Sequence, residues 1–250
     1  MLERCVQSVR RQTLAADHFL VADGFPQDWL DAEPVRHFKL DRPHGDFGNT
    51  PRGIGAIVAI AEGYDGIGFL DADNWFERRH VELCVLAAAQ VRDKTGVEVD
   101  YVIAQRHLRR PDETIIPIAD ESFGIHVDTS CFFMLPSSYG IIPYFAIMPQ
   151  QLSSICDRVF YAAIRARGLK AAVVAEKTVN FHCLYQSIYR AAGEEPPEGA
   201  KPGPDGEPIK AWLSNLSPRE RLIVSRRAGV EVIQTDPPAA SGELKTATSR

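Results

Sequence analysis

Short apolar runs that break off at turn residues alternate with segments of helical period through the first half of the chain, which leaves few folds open. Leu2, Cys5, Val6 and Val9 repeat at helical spacing, so the sequence opens within a helix. Phe19-Leu20-Val21-Ala22 reads as a short buried strand ending at the turn pair Asp23-Gly24. A weaker strand pattern covers 35–40, and a glycine-rich loop, 43–51, leads into a helix over 52–62 with Ile54, Val58 and Ala61 on one face. The run from Ile67 to Leu70 reads as the end of a buried strand. Phe76, His80, Leu83, Cys84, Ala87, Ala88 and Val91 then predict a helix over 75–92, followed by a strand over 101–105. Strands and helices joined by short links predict an α/β fold, a mostly parallel, doubly wound sheet with helices on both faces.

Past Arg110 the pattern changes. Ile115, Ile116 and Ile118, and then 127–135, read as strands flanking a longer connection. A helix over about 154–167 stops at Gly168, and 171–181 is strand-like. Residues 194–210, rich in proline and glycine, predict an irregular, mobile segment between a main domain, 1–193, and a helical extension, 211–233. Ser217-Pro218-Arg219-Glu220 starts a helix running to Ala228: an N-cap, a proline at the first helical position and a capping-box glutamate. Residues 234–250 read as a disordered tail.

The bulk numbers narrow the class. With 250 residues, 45% hydrophobic and 24% charged, the chain can bury one substantial core. A net charge of −5 argues against nucleic acid as a partner. Five scattered cysteines without a C-x-x-C pair suit reduced, buried thiols, and Arg4, Arg10 and Arg11 interrupt any signal-peptide pattern. Residues 131–148 are apolar but broken by Pro136 and Pro143, a poor membrane span. The expectation is a cytoplasmic protein without a transmembrane segment.

The chemistry concentrates at Phe69-Leu70-Asp71-Ala72-Asp73-Asn74. Residues at i and i+2 of an extended segment leave on one side, so Asp71 and Asp73 can aim at one point, where hard oxygen donors suit Mg²⁺ or Mn²⁺. Taken alone, the segment fits a helix start equally well, with Asn74 and Glu77 as a capping pair. A calcium loop fails, because Trp75 and Phe76 stand where an oxygen ligand and a turn glycine are needed. G-x-x-x-x-G-K-[ST], G-x-S-x-G and H-E-x-x-H are all missing, and Gly53-Ile54-Gly55 lacks the third glycine of a dinucleotide fingerprint.

Four segments occur in order: Leu2 to Thr13 with its Ser8-Val9-Arg10-Arg11-Gln12-Thr13 end, Val21-Ala22-Asp23-Gly24, Gly48-Asn49-Thr50-Pro51-Arg52, and Asp71-Ala72-Asp73. Over roughly residues 2–190 this resembles the family 2 glycosyltransferases of the GT-A fold, with their S-V-x-x-Q-T helix, D-G strand end, G-x-x-x-R segment and D-x-D pair. The resemblance implies an inverting, metal-dependent transfer of a sugar from a nucleoside-diphosphate sugar to a hydroxyl acceptor, a saccharide or lipid-linked group, in cell-surface polysaccharide or glycoconjugate synthesis. It implies that Asp23 binds the base or ribose, that Arg52 faces the diphosphate or sugar, and that Asp71 lies near the ribose or donor sugar. Asp73 would bind the Mn²⁺ or Mg²⁺ ion most directly, with Asp71 and a late histidine, His182, completing the shell. Asp157, in a Cys156-Asp157 pair where relatives carry E-D, would be the general base, and Asp128 would border the acceptor site.

Two departures matter. The Q-x-x-R-W signature of processive synthases is absent, so single addition is expected, with acceptor choice set by 106–126 and 136–152. The family's opening strand has no counterpart ahead of the first helix. The expectation is either a start that lies upstream or a sheet missing its first, central strand, with unpaired backbone groups and an edge that would favour a homodimer. That absence also opens the alternative of a GT-A-like binding or assembly module that has lost donor binding. A nucleotidyltransferase is disfavoured, because no early glycine-rich, basic loop is present.

Overall fold

The computed structural model describes residues 1–118, 123–124 and 126–232. The tail expected over 234–250 lies outside the described residues. The first half alternates as expected: α1 (Leu2–Arg10), β1 (Phe19–Asp23), β2 (Arg36–Leu40), α2 (Asn49–Ala61), β3 (Ile67–Gly68), β4 (Trp75–Phe76), α3 (His80–Thr95) and β5 (Tyr101–Arg109). The second half adds β6 (Phe132–Met134), α4 (Tyr144–Ile147), α5 (Cys156–Ala166), β7 (Ala171–His182), α6 (Gln186–Ala191), α7 (Glu207–Ser214) and α8 (Pro218–Ala228). Helix α8 begins with the expected capping box, Ser217 and Glu220 reciprocating.

The strands form two sheets. β1 and β2 pair in parallel, Phe19 opposite Arg36 and Asp23 opposite Leu40. The other sheet runs β3-β6-β5-β7-β4. Its centre, β5 beside β7, is parallel, whereas β6 and β4 are antiparallel to their neighbours. The sheet is therefore mixed: β6 arrives through the long excursion after Arg110 instead of a helical crossover, and enters from the opposite end. Its core is aromatic, with Phe132, Phe145 and Phe160 fully buried and the last two rings stacked at 4.1 Å. Helices α7 and α8 bury a second cluster, Val224 and Ala228 against Met148, Leu152 and Val159.

Several local expectations are corrected. The strand read over 67–70 keeps two ladder residues, because β3 has a hydrogen-bonded neighbour on one side only, β6. The helix read over 75–92 begins at His80, since Trp75 and Phe76 pair with Asn180 and Val179 of β7. The Asn74–Glu77 capping pair does not form: Asn74 is buried, donating to Ser130 Oγ at 3.2 Å and accepting the His182 N–H at 2.9 Å. Glu77 instead accepts from Asn180 at 2.9 Å. Of 127–135, only Phe132–Met134 is strand, because Asp128 caps a 3-10 turn over Thr129–Cys131. The strand expected at 115–118 is reduced to a single bridge between Arg109 and Ile115.

β1 and β3 are not hydrogen-bonded to each other, and a cavity of about 1200 Å³ lies between them. Helix α2 borders it on one side, and α1 and α3 line it with Cys5, Val9, Val81 and Val85.

Candidate active site

The carboxyl ends of β1, β3 and β7 and the first turns of α2 and α5 gather the acidic residues at one rim. Asp23 ends β1, and Gly24 turns the chain at φ +79°, where a Cβ would lie 2.4 Å from the Pro43 nitrogen. Asp23 does not stand free: it accepts the His44 N–H at 3.0 Å and meets His44 Nδ1 at 2.5 Å, tying the glycine-rich loop to the strand end.

Arg52 points to the same rim from the first turn of α2. Its guanidinium donates to Asn49 Oδ1 at 3.1 Å and to Asp71 at 2.7 Å, and lies 5.1 Å over the Phe145 ring. Burial alone would lower the Arg52 pKa, but the Asp71 carboxylate outweighs it and holds it above the ordinary value. Asp73 is exposed to solvent, in the turn after Asp71. Lost hydration and the charge of Asp71 raise its carboxyl, while His182 and Lys201 pull the other way.

On the far side, Asp128 forms a buried ion pair with Arg106 at 2.7 Å and accepts the Ser130 N–H at 3.0 Å. Its carboxyl is raised, first by burial against the pull of Arg106, then by the charges of Asp71 and Asp157. Asp157, in the first turn of α5, meets His126 Nε2 at 2.6 Å and accepts the Arg158 N–H at 2.7 Å. Burial would raise Asp157, but the bond and charge of His126, aided by Arg158, leave it below the usual carboxylate range.

Charge couples Asp71 to Arg52, Asp73 and Asp128, Asp73 to His182, and Asp128 to Asp157, while Asp23 shares only the lining of the cavity with Arg52 and Asp71; Asp71 and Asp73 lie beyond β3, Asp73 in a turn and not in an extended segment. Among the described residues, no group of three or more His, Cys, Asp and Glu is drawn together as a metal-ligand set. The donor chemistry nonetheless suits a hard divalent cation, because a positive charge beside Asp73 relieves its repulsion from Asp71. Sequence reasoning missed His44, His126, Arg106, Lys201 and Tyr185. The Tyr185 hydroxyl is raised by burial and by Asp128 and Asp157, and its ring stacks on Phe181 at 6.3 Å. No spacing marks any of these five; only Asn74, adjoining the acidic pair, stood within reach of a motif.

The fold, a curled, parallel-rich sheet flanked by helices, is that of the GT-A glycosyltransferases. Residues 1–349 of TarS from S. aureus in complex with UDP superpose with a TM-score of 0.53 at 11% identity, covering 90% of this chain and 66% of theirs. A second structure of TarS residues 1–349 gives 0.53 at 13% identity, with the same coverage. A longer TarS structure gives 0.50 at 11%, covering 88% of this chain and 38% of that one. This chain thus spans just under two thirds of the shorter TarS structures. No family model and no curated protein matches the sequence.

Proposed function

We propose that this chain is an inverting glycosyltransferase of the family 2 kind, moving a sugar from a nucleoside-diphosphate sugar to a hydroxyl acceptor. The observation that carries the reading is the meeting of the Arg52–Asp71 pair, Asp73 and Asp157 at one rim of a GT-A sheet. The UDP in the TarS complex supports a nucleotide-sugar donor. Asp23 and His44 border the place for base and ribose, and Arg52 at the start of α2 faces the diphosphate, where the helix N-terminus adds positive potential. Asp73, with Asp71 and His182, would hold Mn²⁺ or Mg²⁺, whose charge offsets that of a diphosphate leaving group.

Asp157 takes the proton from the acceptor hydroxyl as the oxygen attacks the anomeric carbon in line with the departing diphosphate. His126 keeps that carboxylate ionised and fixes its orientation. Asp128 and Tyr185 border the acceptor side, a saccharide or lipid-linked hydroxyl of cell-surface glycoconjugate synthesis. Among the described residues, no helix is long and apolar enough to cross a membrane.

One observation favours a second reading, a GT-A-like module without donor binding: Asp23 and Arg52 are already engaged by His44 and Asp71. Thermal stabilisation by UDP, GDP and their sugars, with and without Mn²⁺, tests both. The transferase reading expects metal-dependent stabilisation by one sugar nucleotide and its slow hydrolysis in the absence of acceptor. A flat response across the panel would leave only the module.

A further inference from the structure

Helix α8 has two unlike faces. Val224 and Ala228 pack inward on Met148, Leu152, Cys156 and Val159. Residues 219, 222, 223 and 226 are spaced three and four apart and make up the outer face. There Arg219 and Arg226 lie between Leu222, 53% exposed, and Ile223, 47% exposed. Ile147, 44% exposed, adjoins this face, its carbonyl accepting from Arg227 Nε at 2.7 Å. The one acid of the helix, Glu220, is taken up by the Ser217 cap. Arg221 turns the other way and donates to the Leu213 carbonyl at 2.8 Å.

The face is fixed in place, and the described chain beyond it leaves it open. At the C-cap residue Gly229, φ +71°, an added Cβ would lie 2.5 Å from the Tyr144 ring, so α8 ends hard against α4. Val230 and Val232 then fold back on the buried cluster, the Val232 N–H donating to Ser225 Oγ at 3.0 Å. Apolar residues scattered singly over a surface need no partner. Here three of them share one patch with three arginines, in a chain whose net charge is −5.

We propose that the outer face of α8, together with Ile147, docks on an anionic phospholipid bilayer. Leu222, Ile223 and Ile147 enter the boundary between headgroups and acyl chains. Arg219, Arg226 and Arg227 lay their stems along it and donate to lipid phosphates. Charge selects this occupant. A second copy docked about a two-fold axis would set the arginines of one face against those of the other. The remainder of the molecule, net negative, is repelled by the same membrane, which fixes the docked orientation.

The lipid contact stands on this surface alone. Its use rests on the transferase reading: α8 packs on Val159 of α5, two residues past Asp157, and α4 carries Phe145 beneath the Arg52 guanidinium. A bilayer held at α8 therefore brings a lipid-linked hydroxyl close to that rim.

The test is flotation of the full chain with vesicles of equal phosphatidylglycerol and phosphatidylcholine, and with phosphatidylcholine alone, at about 0.05 and 0.5 M NaCl. Binding is expected with phosphatidylglycerol only, and should weaken sharply in the higher salt. Replacing Arg219, Arg226 and Arg227 by glutamine should lower the partition coefficient by about 10²-fold. Leu222→Ser with Ile223→Ser should lower it by about tenfold or more. Val173→Ser, at a site on β7 exposed to 47%, should change nothing. Absence of binding to phosphatidylglycerol overturns the proposal, as does equal binding to phosphatidylcholine. Self-association through this face, seen as a mass that halves in the Leu222→Ser, Ile223→Ser variant without vesicle binding by the unmodified chain, overturns it as well. Should the multiple variants not fold, Leu222→Trp decides. Its added fluorescence should be quenched by brominated lipid in phosphatidylglycerol vesicles, and an unquenched signal ends the proposal. None of these readouts involves sugar transfer, so failure of the catalytic reading leaves the lipid contact intact.

Discussion

The two halves of the sheet differ in how they are finished. β5 and β7 run nine and twelve residues and lie side by side, with Val102, Ala104 and Val179 at zero exposure. β1 has five residues, all half-buried, and one neighbour. The β1–β2 half has a five-pair ladder with Phe19 packed on Phe38 and Tyr64, and side-chain pairs at its margins: Arg36 with Glu62 and lying 4.4 Å over the Phe19 ring, and Asp23 with His44. The β5–β7 half rests on a long ladder and a buried core, the β1–β2 half on a shorter ladder with exposed ion pairs that each contribute little. The proposed base, Asp157, belongs to the finished half, and the donor-side Asp23 to the open one.

That division is broken most directly by Asp157→Asn. Transfer should fall by about 10²- to 10⁴-fold while sugar-nucleotide binding, measured by calorimetry, stays within about twofold. Asp23→Ala should do the reverse, weakening donor binding with little change in kcat. A loss of donor binding in Asp157→Asn would mean the halves do not divide the work.

Stability sharpens the contrast next. Phe160→Ala empties a site packed by Phe145 and Phe132 and should cost about 3–5 kcal/mol in urea unfolding. Phe19→Ala, on half-buried β1, should cost about 1–2 kcal/mol, since a partly exposed ring loses less. Equal costs would show that the β1–β2 half is as firmly packed as the rest.

The legible part of this molecule follows the same division. Alternation of apolar runs located β1, α2, β5, α5 and β7 to within a few residues, because buried strands and amphipathic helices carry their period in the sequence. The Asp71-x-Asp73 pair stood out as two acids after an apolar run, but its geometry is not the extended one expected: β3 ends at Gly68, and Ala72 and Asp73 lie in a turn closed by the Asn74 N–H to the Asp71 carbonyl at 3.0 Å. β4 was not legible, since Trp75 and Phe76 fit a helical period and only Asn180 and Val179, distant in sequence, make them a strand. His126 and Tyr185 escaped for a related reason: each reaches the rim through an irregular segment whose path no periodicity encodes. The capping reading of Asn74 failed because its amide had two long-range partners, Ser130 and the His182 backbone.

Asp73→Asn should act with opposite sign on stability and on metal binding. The folded state raises the Asp73 carboxyl, through burial and then Asp71, so the unfolded chain releases this proton first. Without metal, stability therefore falls as pH rises from the ordinary aspartate value through the raised one, and the asparagine variant should be more stable at pH 7. The wild type gains that stability back when Mn²⁺ is added and the variant does not, a crossing visible in melting curves with and without the ion.

The smallest expected effect is the most specific. His126 donates to Asp157 across 2.6 Å, and its bond and charge are what overcome the burial that would otherwise raise this carboxyl. With His126 present, the acid limb of kcat/KM lies below the usual carboxylate range, because Asp157 must lose its proton to act as base. His126→Ala removes the lowering partner and leaves burial, so the limb should move to higher pH. At pH 8 the variant should retain most of its kcat, since Asp157 is ionised there with or without the histidine. His126→Gln, which keeps a neutral donor, should place the limb between the two. A pH profile unmoved by either change, alongside a uniform loss of kcat, would make His126 a prop for the loop that carries it and not the partner that sets the state of Asp157.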